Sequence, residues 1–122
     1  MGTIWLVEDD RNLANFTRIA LIKKGYEVVV FHEALKAVEE TKNHMPDLIL
    51  MDVMLPDISG PDAVKIFKKD PNLAGIPVIF LTALLSREES ELGLTIDDIN
   101  YKTLGKPYEI KDLMQAIENI LS

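Results

Sequence analysis

LILMDVMLPDISG, residues 48–60, sets the terms for the whole chain. Four apolar residues in a row, Leu48 to Met51, suit a strand covered on both faces, and then Asp52 puts a carboxylate where burial should be deepest. Strands covered on both faces belong to parallel sheets, where crossover helices pack above and below. In such a sheet the carboxyl ends of the strands share one edge, and that edge is open enough to hold a charged group. Asp52 therefore marks the end of a central strand and the edge at which ligands bind.

Working outward, IWLVEDD (4–10) is another short apolar run closed by acids. Arg11 to Lys24 reads as a helix with Leu13, Phe16, Ile19 and Ala20 on one face, ended by Gly25. EVVVF, Glu27 to Phe31, is β-branched and reads as a strand, followed by a short helix from Ala34 to Thr41. Gly60 and Pro61 open a helix to Lys69, Asp70 to Gly75 is a turn cluster, and PVIFLTAL from Pro77 is the fourth strand. The polar segment Ser86 to Asn100 is expected to hold one irregular helix. YKTLGKP supplies a short fifth strand, and Glu109 to Leu121 a last helix with Ile110, Leu113, Ala116, Ile117 and Ile120 inward. Strand and helix alternate five times. The predicted fold class is α/β: a three-layer sandwich with helices on both faces of a parallel sheet.

A chain of 122 residues is expected to form one domain, 1–122, with no output domain of its own. No apolar run approaches the roughly 20 residues of a membrane helix, and no basic region precedes an apolar one as in a secretory signal. With no cysteine, disulfides and thiolate metal sites are excluded, and a cytoplasmic location is expected. Thirteen lysines and arginines against 20 acids give a net charge of −7. That balance argues against nonspecific binding to nucleic acid or anionic membrane and favours proteins and cations as partners.

The strand ends collect a particular set of side chains. The first strand leaves Glu8 and Asp9, with Asp10 just beyond; the third leaves Asp52, the fourth Thr82 and the fifth Lys106. Three neighbouring carboxylates raise one another's pKa unless a cation sits among them. An all-oxygen cluster suits a hard ion such as Mg²⁺, which takes one or two carboxylates and keeps its waters or phosphate oxygens. A lysine and a threonine hydroxyl are the usual equipment for holding a phosphoryl group, and an aspartate can accept one covalently.

With those residues in order and spacing, D-x-x-x-P-x-x-x-G at Asp52, Pro56 and Gly60, Thr82 followed by Ala83, and Lys106 followed by Pro107, the chain resembles a receiver domain of a two-component response regulator, similar to stand-alone chemotaxis-type regulators. The resemblance implies a five-stranded parallel sheet of (βα)5 flavodoxin-like topology, strand order 2-1-3-4-5, and it implies that Asp52 is the phosphoacceptor, served by a sensor histidine kinase or a histidine phosphotransfer protein. It implies Mg²⁺ held by Asp9, by Glu8 mainly through water, by Asp52 and by the Met54 carbonyl. Thr82, the Ala83 N–H and Lys106 would hold the phosphoryl group, and a cis Lys106–Pro107 bond is expected. Signalling to a downstream protein, as a monomer or a phosphorylation-linked dimer, follows from the same likeness, without nucleic acid or membrane contact.

Two features depart from the pattern. Thr82 and Lys106 are 24 positions apart, two more than is typical, and the aromatic that most receivers carry three before the lysine is replaced by Thr103. Tyr101 is the nearest aromatic. Either a bulge lets Tyr101 fill that space as a switch, or the protein signals through other changes. The rival functions are a pseudo-receiver, which keeps the fold without using phosphate, and an aspartate-nucleophile phosphatase, which would want an aspartate where Met54 stands. Neither G-x-G-x-x-G nor a P-loop motif follows the first strand. His32 and His44 read as solvated, Met45, Met51 and Met54 as packing, and Trp5 as core filling.

Overall fold

The computed structural model describes residues 2–40, 45–83 and 93–121. Five strands, β1 (Thr3–Val7), β2 (Glu27–Phe31), β3 (Leu48–Asp52), β4 (Val78–Thr82) and β6 (Ile99–Gly105), pair in parallel in the order β2-β1-β3-β4-β6. This is the expected 2-1-3-4-5 order with one addition. β5 (Leu94–Ile96) pairs antiparallel with β6 and becomes the sixth strand, at the sheet's edge. The helices are α1 (Arg11–Lys23), α2 (Ala34–Glu40), α3 (Gly60–Lys69) and α4 (Ile110–Leu121).

The helix expected over Ser86 to Asn100 is corrected for its second half. Residues 94–100 form a tight hairpin, while residues 84–92 lie outside the described residues. Asp97 and Asp98 both have positive φ, +50° and +68°, which is the backbone of the two-residue turn whose twist matches that of paired strands.

The pleat divides the core in two. Trp5, Val7, Ile49, Met51, Val78, Phe80 and Tyr101 pack with residues of α2 and α3. Ile4, Leu6, Leu48, Leu50, Ile79 and Leu81 pack with α1 and α4. β1, β3 and β4 are apolar in succession because each side chain meets a helix layer on one face or the other. Trp5 is fully buried, as expected, and sets its ring edge-on to Phe31 at 5.0 Å.

The buried face of α1 also differs from the expectation. Ala14, Thr17 and Leu21 point inward, while Phe16 and Ile19 are 60% and 41% exposed. The positions i, i+3 and i+7 with two small residues bring α1 close to the sheet, and the bulkier residues are left on the outer side. Met45 and Met54 are likewise exposed, so only Met51 of the three acts as packing.

Candidate functional site

Each acid at the carboxyl edge lies at the end of a core strand or just after it. Val7 and Met51 are in register in β1 and β3, which brings Glu8 and Asp52 to the same edge. Asp52 faces Leu81 of β4, and Thr82 faces Gly105 of β6, just before Lys106. The Lys106 N–H donates to the Thr82 carbonyl at 2.8 Å, and the Lys106–Pro107 bond is cis.

Ligand oxygens of Glu8, Asp9 and Asp52 all lie within 4.8 Å of one another. Glu8 is fully buried, Asp52 nearly so, and Asp9 is exposed. The Lys106 ammonium spans the cluster: it bonds Glu8 Oε1 and, at 2.8 Å, Asp52 Oδ2. Burial pushes the Glu8 carboxyl up to about 7, against hydrogen bonds from Lys106 and from the Asp10 N–H that pull it down, with the Asp52 charge adding to the rise. For Lys106, burial works downward, but hydrogen bonds and charge attraction from Asp52 and Glu8 outweigh it and raise its pKa. A donor set of three carboxylates, one of them reluctant to ionise without more positive charge, fits a hard divalent ion.

The loop after Asp52 is tied back to it. The Met54 N–H points at Asp52 Oδ1 at 3.3 Å, and the Gly60 N–H donates to the Val53 carbonyl at 2.8 Å. Gly60 is needed because a Cβ there would run into the Asp52 carbonyl oxygen. Ser59 then caps α3 through the Asp62 N–H, with Pro61 in the first turn.

Glu8, Asp9, Asp52, Thr82, Ala83 and Lys106 thus come from four adjacent strand ends and their loops to one edge of the sheet. Met54 is beside them with its side chain exposed. Tyr101 is not among them. It lies two residues before Thr103 on the same face of β6, and residues 102–105 pair with β4 in unbroken register. Its ring is buried edge-on against Phe80 at 5.6 Å, with Lys68 Nζ 5.8 Å from its centre.

Three contributors were not read from sequence. His32, expected to be solvated, has Nδ1 2.9 Å from the Glu8 carbonyl oxygen; since a carbonyl only accepts, Nδ1 carries the proton. Asp57 accepts from the Ala34 and Leu35 N–H groups at 3.1 and 2.7 Å and so closes the start of α2. Tyr108 bonds Thr17 across 91 residues of sequence. Only the Asp57 contact had a sequence signal, as an acid placed to meet a helix start, and its partner helix was not adjacent in the chain.

The chain is 32% identical to the transcriptional regulatory protein CreB of Escherichia coli over 98% of its own length and 50% of that protein's. It spans about half the length of the curated relatives it matches. Among solved structures it is similar to the signal receiver domain of a signal transduction histidine kinase from Syntrophus aciditrophicus, with 28% identity, a TM-score of 0.83 and coverage of 99% of this chain and 90% of that one. A CheY-like response regulator receiver domain protein from Methanospirillum hungatei matches at 27% identity with a TM-score of 0.81, over 98% and 92% of the two chains. The response regulator receiver domain family matches residues 4–118, a span that holds all of the carboxyl-edge cluster and every strand but for Thr3 at the start of β1, and the chain belongs to that family.

Proposed function

We propose that this domain accepts a phosphoryl group on Asp52 in a Mg²⁺-dependent reaction, with a sensor histidine kinase or a histidine phosphotransfer protein as donor. The observation that carries this reading is the cluster itself: three carboxylates within 4.8 Å, crossed by one lysine. Phosphoryl transfer asks for alignment and charge neutralisation more than for covalent help, and this edge offers both.

Asp9, Asp52, the Met54 carbonyl and, through water, Glu8 would hold the ion. When bound, Mg²⁺ supplies positive charge against which the incoming phosphoryl oxygens are neutralised. The Asp52 carboxylate is the nucleophile. Thr82 and the Ala83 N–H bind phosphoryl oxygens, and Lys106 neutralises the charge on the other side. Ala83 is exposed, and its small side chain leaves the group open to an approaching partner. The domain works as a signalling component that catalyses only its own phosphorylation and dephosphorylation, in the cytoplasm. With a net charge of −7 it acts by protein contact rather than on nucleic acid, as a monomer or a phosphorylation-linked dimer.

The pseudo-receiver reading draws on one observation: Thr103 stands where an aromatic is usual, and Tyr101 is packed in the core. Incubation with acetyl phosphate separates the two. One added phosphoryl group in the intact mass, dependent on Mg²⁺ and lost in Asp52→Asn, is the expected result, and Asp9→Asn should raise the Mg²⁺ concentration required. Phosphate on another residue in Asp52→Asn would overturn the assignment, and no addition from any donor would favour the pseudo-receiver.

A further inference from the structure

Thr17 is a polar residue with no exposed surface, on the inner face of α1 between Ala14 and Leu21, which pack into an apolar cluster. Burying a hydroxyl in such a place is costly unless it finds a partner. Its partner is the Tyr108 hydroxyl, 2.8 Å away. Tyr108 in turn follows Lys106 by two residues, with Pro107 between them. The chain leaves β6 at Gly105, presents Lys106 to the carboxylates, and is then fastened to α1 at the next side chain that turns inward. A phenylalanine would fill the same volume without bonding; the phenol adds a fixed distance.

We propose that Tyr108 is a positioning residue for Lys106: bonded to Thr17, it holds the post-β6 segment so that the ammonium reaches Glu8 and Asp52 together. Its effect on phosphorylation rests on the phosphoacceptor reading given above; its effect on the loop does not. Near the lysine the backbone is also held by the Lys106 N–H donating to the Thr82 carbonyl at 2.8 Å, and the ammonium by Glu8 and Asp52. Those ties all act at Lys106 itself; the hydroxyl pair adds one on the far side of Pro107, which limits how far the following chain can swing. Burial pushes the Tyr108 phenol up, against the Thr17 bond that pulls it down, with the Glu8 and Asp52 charges adding to the rise.

The test uses Tyr108→Phe, Thr17→Val and the double variant, with Thr17→Ser as the conservative control. Two quantities are measured on each: hydrogen exchange of the Lys106 amide in the free protein, and the rate of phosphorylation by acetyl phosphate at saturating Mg²⁺. Tyr108→Phe should speed Lys106 exchange about tenfold while amides of β1 and β3 are unchanged, and should slow phosphorylation about five- to tenfold with the Mg²⁺ midpoint unmoved. Thr17→Ser should keep wild-type values. The double variant buries no lone hydroxyl, so a merely structural pair would recover there; a positioning pair would not. Recovery in the double variant, or unchanged Lys106 exchange in Tyr108→Phe, overturns the proposal. Wild-type protein that takes no phosphate, with the exchange effect present, would instead overturn the phosphoacceptor reading alone.

Discussion

Lys106 Nζ lies between Glu8 Oε1 and Asp52 Oδ2, so one cation from β6 serves acids from the ends of β1 and β3. Its side chain is 15% exposed, and those of its two partners are nearly or fully buried. Removing one member of such a group leaves uncompensated buried charge, a loss of about 3–5 kcal/mol in a full interior and less at a partly open edge. Lys106→Met is therefore expected to lower the unfolding free energy by about 2–3 kcal/mol without divalent ions, and millimolar Mg²⁺ should restore most of it. Urea melts with and without Mg²⁺ measure both; a loss below about 0.5 kcal/mol would mean the contact is incidental.

The raised pKa of Glu8 has a sign that can be checked. Its folded value of about 7 exceeds its ordinary 4.5, so between those pH values the native state holds a proton that the unfolded chain has released. Metal-free stability should fall as pH rises through that window and level off above it. Lys106, raised above its ordinary 10.5, contributes stability that is lost only as pH climbs through that higher folded value, so it leaves this window untouched. Stabilisation by Mg²⁺ should grow over the same window, because the ion needs Glu8 ionised. Thermal melts across it, with and without Mg²⁺, would contradict the assignment if both curves were flat.

Gly60→Ala would force a methyl group against the Asp52 carbonyl oxygen and within 3.0 Å of Met51 Cγ. Overpacking of this kind costs about 1–3 kcal/mol. Because the strain falls on the residue proposed to accept phosphate, the phosphorylation rate should drop by more than the stability loss explains. Comparing that rate in Gly60→Ala and in an equally destabilised core variant such as Ile49→Val checks this.

Asp57 caps a helix that is distant in sequence. Burial alone would raise its carboxyl, but N–H groups of Leu35, Ile58 and Ala34 together hold it below its usual value. Asp57→Ala should cost about 1–2 kcal/mol at neutral pH. A depressed carboxylate contributes its stability above the unfolded value of 3.8 and loses it as pH falls through the folded one. The difference between wild type and Asp57→Ala should accordingly vanish in acid, which urea melts at falling pH will show.

The β5–β6 turn can be improved. Two aspartates at positive φ carry strain that Asn-Gly does not. Asp97→Asn with Asp98→Gly should stabilise the protein by about 0.5–1 kcal/mol, read as a rise in melting temperature. No rise would indicate that the side chains of Asp97 and Asp98 contribute bonds the turn needs.

How much of this could be read from the chain varies with the physics behind each feature. The apolar strands were legible because burial on both faces leaves no choice of residue, and the edge acids were legible because strands end where the apolar runs end. The β5–β6 hairpin was not, since IDDIN lacks the glycine that usually announces such a turn, and aspartate tolerates the same backbone silently. The face of α1 was misread because Phe16 and Ile19 are more hydrophobic than Ala14 and Thr17, yet the sheet selects for closeness of approach as well as for apolarity. Contacts such as Thr17 to Tyr108 and His32 to Glu8 depend on the packing of distant elements, and no local pattern encodes them.

Gly60, the first residue of α3, packs against the Asp52 carbonyl at the end of β3 with no room even for a methyl group, and in mechanical language that makes it a fulcrum. α3 has ten residues, a rigid arm about 15 Å long. A tilt of about 5° at the Asp52 carbonyl would carry the far tip roughly 1.3 Å, given that length. At that tip stands Lys68, whose ammonium holds the carbonyls of Ala74 and Ile76 and lies over the Tyr101 ring. A displacement too small to notice at the carboxyl edge would thus be delivered, magnified, to the opposite end of the sheet.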